Sequence, residues 1–250
     1  MRGLTVLLLG LASAATNVSA GTLYAVRDAD NWLVKIDSDT LQLTPIGSTG
    51  IQAGDFGDLA YDDTSATMYW IAGRSNNNLY KLSLNTGAAT LIGSHGVADL
   101  FALGWDGKKL YAQSTNRNVY TLSTVNGAPT TIGNNSVYPG GYDYNWKTDK
   151  LVFLEAGGGG IYEVSRTNGA ATLLNGGGGG VNDNDIAYDW DKNVYWAIDY
   201  SGNLFKYDAT TYARTTPSSG LGSYAALEYI PEPSALALLA VGALLAGRRR

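Results

Sequence analysis

Asp58-Leu59-Ala60-Tyr61-Asp62, Met68-Tyr69-Trp70-Ile71, Leu79-Tyr80-Lys81-Leu82 and Ala88-Ala89-Thr90-Leu91-Ile92-Gly93 follow one another within 36 residues, the last two joined by Asn85-Thr86-Gly87. Each run is too short for a typical helix and rich in aromatic or branched residues, which reads as a strand. In the third run Tyr80 and Leu82 face one way while Lys81 and Ser83 face the other, the period of two of a half-buried strand. Asn-Thr-Gly suits the positive φ of a tight hairpin. The stretch is one four-stranded unit.

Working outward, the apolar-aromatic run recurs as Leu23-Tyr24-Ala25-Val26, Leu110-Tyr111-Ala112-Gln113, Leu151-Val152-Phe153-Leu154 and Val194-Tyr195-Trp196-Ala197, with successive spacings of 45, 42, 41 and 43 residues. A period in the forties made of short strands predicts propeller blades. The strand before each run recurs as Ala102 to Asp106, Gly141 to Asn145 and Asp185 to Asp189, with Ala60, Gly104 and Ala187 at its centre, small enough for a crowded innermost strand. Pro129 falls in a fourth-position strand, where an outer edge tolerates it. The first copy lacks an inner strand, and Ala226 to Ile230 is one to spare. The expected fold is therefore an all-β, five-bladed β-propeller over residues 21–230, each blade four-stranded, with the C-terminal strand completing the first blade and protecting the sheet edges.

The whole chain has 250 residues, no cysteine and a single histidine, His95. These counts exclude disulfides, thiolate zinc sites, cysteine nucleophiles and histidine clusters for a metal. Without Arg2, Arg248, Arg249, Arg250 and Glu232, the body keeps 13 basic and 21 acidic residues, a net charge of −8. Such a body repels nucleic acid, whose binding relies on neutralising phosphates. His95 in Gly93-Ser94-His95-Gly96 lacks a nucleophile elbow and reads as a surface turn residue. Gly157 to Gly160 and Gly176 to Gly180 lack the lysine of a phosphate loop, and Asn182-Asp183-Asn184-Asp185 lacks the glycine and distal glutamate of a calcium loop. No cofactor or metal is expected.

Residues 1–20 read as a signal peptide: a basic start at Arg2, an apolar run from Leu4 to Ala15, and Val18-Ser19-Ala20 supplying the small residues Val18 and Ala20 for signal peptidase. Residues 231–250 comprise Pro231-Glu232-Pro233, an uncharged apolar stretch from Ser234 to Gly247, and Arg248, Arg249 and Arg250. At about 1.5 Å per residue this apolar helix is short for a bilayer core of about 30 Å. The order and terminal position of these elements resemble the PEP-CTERM sorting signal of Gram-negative bacteria. The resemblance covers only this tail. It implies transient inner-membrane insertion through the C-terminal helix and processing by an exosortase-type transpeptidase. The protein would then be destined for the cell surface, the outer membrane or the extracellular matrix, in a setting of exopolysaccharide and biofilm. The body also resembles exported bacterial propeller repeats, a likeness shared by many functions.

Aligning the inner strands puts Asp55, Asp99, Tyr138, Asn182 and Ser223 in one register and Asp58, Ala102, Gly141, Asp185 and Ala226 in another. Asp55, Asp58, Asp99, Asn182 and Asp185 thus form a candidate ligand-binding mouth for sugar hydroxyls or a cation; the alternative is that they cap their own turns. Asp58, Asp143, Asp185 and Glu228 are the carboxyls from which a glycosidase could draw its pair. Against this reading, the loops lack the long, unequal insertions of a substrate cleft. The aromatics recurring once per blade read mostly as inter-blade packing. The expected function is that of a non-catalytic, exported binding or structural propeller, with a lectin for extracellular polysaccharide and a glycoside hydrolase as alternatives.

Overall fold

The computed structural model describes residues 21–52, 56–176 and 183–231. Among them are twenty strands in five four-stranded antiparallel sheets. Blade one holds β1 (Thr22–Arg27), β2 (Trp32–Asp37) and β3 (Leu43–Ser48). Blade two holds β4 (Asp58–Asp62), β5 (Thr67–Ile71), β6 (Asn78–Leu82) and β7 (Ala89–Ser94); blade three holds β8 (Leu100–Trp105), β9 (Leu110–Ser114), β10 (Asn118–Leu122) and β11 (Pro129–Asn134). Blade four holds β12 (Pro139–Asn145), β13 (Lys150–Glu155), β14 (Ile161–Val164) and β15 (Ala171–Asn175). Blade five holds β16 (Asp183–Asp189), β17 (Val194–Asp199), β18 (Leu204–Asp208) and β19 (Arg214–Ser218). Last in the chain, β20 (Tyr224–Ile230) returns to blade one, which has the order β20-β1-β2-β3. Leu23 lies opposite Tyr229 and Ala25 opposite Leu227, so the C-terminal strand closes the ring as the repeat predicts.

The core is divided among the seams. Each of five buried clusters draws its side chains from two adjacent blades; Val26, Leu33 and Ala226 of blade one pack with Leu59, Met68 and fully buried Trp70 of blade two. The once-per-blade aromatics therefore belong to inter-blade packing, where each large ring removes much apolar area from water. A second seam device is the repeated glycine near the end of the outer strand. A Cβ on Gly47, Gly93 or Gly133 would overlap the carbonyl of Thr86, Asn126 or Asn168 in the hairpin of the next blade. Those hairpins turn on Gly87, Gly127 and Gly169, all at positive φ.

The residue at the end of the inner strand, or directly after it in blade three, governs the turn that follows. Asp62, Asp106 and Asn145 each accept two backbone N–H groups from the next three residues. Turn capping by Asx residues thus operates at this register.

His95 departs from the expectation of a surface turn residue. It lies in a turn but is only 3% exposed, and its Nδ1 accepts the Val97 N–H at 3.2 Å. Thr49 Oγ1 with Ile51 and Asn135 Oδ1 with Val137 make the same contact in neighbouring blades. The turn is buried against the seam, and the position requires an acceptor atom. Burial lowers the His95 pKa to about 4, keeping the ring neutral.

Candidate functional site

The inner strands β20, β4, β8, β12 and β16 surround the central channel, each pairing on one edge only. Their other edges carry backbone N–H groups that need acceptors once buried. Side chains reaching from one inner strand to another supply them, in two tiers.

In the upper tier, nearer the start of the inner strands, Asp58 Oδ1 accepts the Leu59 N–H at 2.7 Å, and Oδ2 accepts Leu103 at 2.6 Å and Tyr142 at 2.9 Å. Asp185 Oδ1 accepts Ile186 at 2.7 Å, and its Oδ2 accepts Leu227. Two carboxyls thereby bond one amide from each of the five inner strands. In the lower tier Asp143 accepts Tyr144 at 2.5 Å and also Tyr188, while Glu228 accepts Tyr229 at 2.8 Å and Tyr61 at 2.9 Å. Blade three, with Ala102 and Gly104 at these registers, contributes no carboxyl; Asp58 spans its place by bonding blades three and four together. Small residues make the room: a Cβ on Gly141 would overlap the Asp185 carboxyl.

Asp58 and Asp185 are fully buried beside one another, where two like charges are costly, so a proton on the pair is favoured. Burial, then the Asp185 charge, holds Asp58 well above the usual carboxylate range; burial foremost does the same for Asp185. In the lower tier burial raises Asp143 to about 7, and burial together with the Asp143 charge raises Glu228. Among the described residues no three His, Cys, Asp or Glu side chains group as metal ligands would.

Of the five residues aligned as a ligand-binding mouth, Asp58 and Asp185 therefore meet inside the channel and present no atom to solvent. Asp99 lies apart from them in the turn before β8, at φ 49°, and its carbonyl accepts the Thr115 N–H. Asp55 and Asn182 lie outside the described residues, as do Val18, Ala20, Glu232, Pro233, Arg248, Arg249 and Arg250. Pro231 directly follows β20.

Both ends of the channel carry aromatics that the register of acidic residues did not reveal. At the upper end Phe56 stacks on Phe101 at 4.7 Å, Tyr138 and Tyr200 flank them, and the Arg74 guanidinium lies 5.0 and 5.2 Å from the two phenylalanine ring centres. At the lower end Tyr61, Trp105, Trp146, Trp190 and Tyr229 line a slot whose acidic members are Asp63, Asp143 and Glu228. Trp146 stacks on Trp190 at 5.7 Å, and Trp146 is 36% exposed. The slot encloses about 10 Å³, room for about one water-sized group. The sequence did hold a signal for this rim: Trp146 and Trp190 share a register with Gly107, and a Cβ on Gly107 would crowd the Trp146 ring.

Comparison with solved structures supports the fold. A protein of unknown function from Bacteroides thetaiotaomicron VPI-5482 superposes with a TM-score of 0.59 at 17% identity, over 88% of this chain and 60% of that one. The present chain thus spans less than two thirds of that protein's length. A chain of a nidogen/laminin complex superposes with a TM-score of 0.56 at 12% identity, over 84% of this chain and 98% of its own length. No protein-family profile and no curated protein matches the sequence. At these identities the likeness is one of fold.

Proposed function

We propose that the chain is an exported, non-catalytic binding propeller of the cell surface or extracellular matrix, delivered by signal peptidase and an exosortase-type transpeptidase, with extracellular polysaccharide as its binding partner. The observation that carries the non-catalytic reading is the use of the channel carboxyls. Every oxygen of Asp58, Asp143, Asp185 and Glu228 accepts a backbone N–H: one oxygen of each bonds the next residue of its own strand, and the other reaches across to a different inner strand. A glycosidase needs two carboxyls placed on either side of a bound glycosidic linkage. Asp143 and Glu228 reach the lower slot, but about 10 Å³ does not admit a sugar ring between them. The aromatic rim outside the slot supports binding without turnover.

The export part of the reading rests on the sequence of residues 1–20 and 231–250. Replacing Pro231, Glu232 and Pro233 by alanine should leave an unprocessed, membrane-retained protein in a native host, followed by mass spectrometry and fractionation. Normal processing of that variant would overturn the sorting assignment. Incubation with polysaccharide separates binding from catalysis, because a binding propeller retains the polymer without shortening it.

A further inference from the structure

Resting on the polysaccharide-binding reading, we propose that the lower slot is a receptor for a primary ammonium group carried on a hexosamine ring, so that the protein selects amino sugars with free amines over their N-acetylated forms. The first support is the aromatic lining. Tyr61, Trp105, Trp146, Trp190 and Tyr229 come one from each blade and converge on one small cavity. Aromatic faces carry partial negative charge and attract a cation held against them.

The second support is charge. Asp63, Asp143 and Glu228 are also in the lining, and no lysine or arginine is. Two basic side chains on other parts of the blades are engaged: Arg166 pairs with Asp106 and Asp149, and Lys192 pairs with Asp39. Each oxygen of Asp143 and Glu228 accepts one backbone amide and keeps a second lone pair for a ligand; burial alone favours their protonated forms, and an ammonium held beside them offsets that by favouring the ionised ones. The other titratable groups nearby are the Tyr61, Tyr188 and Tyr229 hydroxyls and, deeper in the channel, Asp58 and Asp185. None of these supplies a positive charge.

Size sets the rest of the selectivity. An ammonium group is about as large as the one water-sized group for which the slot has room, whereas the ring that bears it must stay outside. There Trp146, stacked on Trp190 and partly exposed, offers a flat surface. Acetylation removes the charge and enlarges the group, so both criteria reject it.

The test titrates the full-length protein at pH 7 with a glucosamine oligomer and with the matching N-acetylglucosamine oligomer, read by tryptophan fluorescence and calorimetry. The free amine should bind, the acetylated oligomer should bind at least tenfold more weakly, and Trp146→Ala and Asp63→Asn should each lower affinity for the amine severalfold. Both substitutions lie on the exposed rim, so circular dichroism should report an intact fold. Equal affinity for the two oligomers, no binding of the amine, or unchanged affinity in folded Trp146→Ala would overturn the assignment. If the acetylated or another neutral glycan binds while the amine does not, the binding-propeller reading stands and the ammonium slot falls. If no glycan binds at all, both fall.

Discussion

Asp58 is the side chain on which the channel depends most, because its two oxygens serve amides of three inner strands. In Asp58→Ala the N–H groups of Leu59, Leu103 and Tyr142 lose their acceptor inside a channel where Asp58 is fully buried. A buried polar group left unpaired costs about 1–3 kcal/mol, so three cost about 3–9 kcal/mol. Relief of repulsion with Asp185 offsets part of this, leaving an expected net loss of at least about 3 kcal/mol, against typical domain stabilities of about 5–15 kcal/mol. Asp58→Asn separates shape from charge: it keeps one acceptor oxygen but sets its amide donor against at least one backbone N–H that the second carboxyl oxygen had accepted, so its expected cost is about 1–3 kcal/mol, below that of alanine. The two variants also differ from wild type in pH dependence. With its pKa raised in the folded state, Asp58 binds more protons in the native protein than in the unfolded chain, so its contribution to stability is full at low pH and lost as pH rises through the folded pKa. Urea denaturation at pH 5 and pH 8 should therefore show wild type losing more stability between the two than Asp58→Asn does. An Asp58→Ala protein within about 0.5 kcal/mol of wild type, the scatter of ordinary surface changes, would refute the claim that this carboxyl holds the inner strands together.

Gly133→Ala drives a methyl group into the Asn168 carbonyl of the next blade and should cost about 1–3 kcal/mol, measured as a shift in denaturation midpoint at unchanged m-value. His95 titrates in the opposite sense from the channel carboxyls: its folded pKa of about 4 lies below the ordinary histidine value, so its stabilisation is full above about pH 6.5 and lost as pH falls towards 4. His95→Asn, which installs the residue used at 135, should flatten that acid-side decline in a melting series from pH 4 to 7; an unchanged slope would show that the ring is not held neutral. Truncation after Ser223 removes β20, exposes the edge of β1 and forfeits burial of Tyr224, Leu227 and Tyr229, each large apolar side chain worth about 1.5–3 kcal/mol. The truncated chain should fail to give a cooperative thermal transition, and a wild-type melting temperature would contradict ring closure.

The blade architecture was legible because two independent periods agree. Alternation in Tyr80-Lys81-Leu82-Ser83 identifies a strand, and a repeat of 41 to 45 residues identifies the array to which the strand belongs. The missing inner strand before Gly21 and the surplus one at the C-terminus fix the closure without any knowledge of contacts. His95 was less legible because its role lies in an atom, not a residue type. Thr49, His95 and Asn135 share no obvious chemistry until each is seen to accept the N–H two residues onward.

The carboxyls were placed in the right registers, but a register alone does not say whether a side chain faces solvent or a neighbouring strand. The physical discriminator lay in the company they keep. At the upper tier Asp58 and Asp185 share their register with Ala102, Gly141 and Ala226; at the lower tier Asp143 and Glu228 share theirs with Ala60, Gly104 and Ala187. A solvent-facing ring has no reason to alternate carboxyls with residues lacking bulk. A closed ring does, because each carboxyl must reach an amide on another inner strand within the crowded centre and needs vacated space in which to do so. Two carboxyls per tier also limit the like charge confined there, and a proton held on the buried Asp58–Asp185 pair limits it further. The same reasoning turns attention from the acidic registers to the aromatic rim. With the buried carboxyls bonded to backbone amides, the exposed ring of Trp146 and the slot beside it are the surface that the proposed ligand would meet.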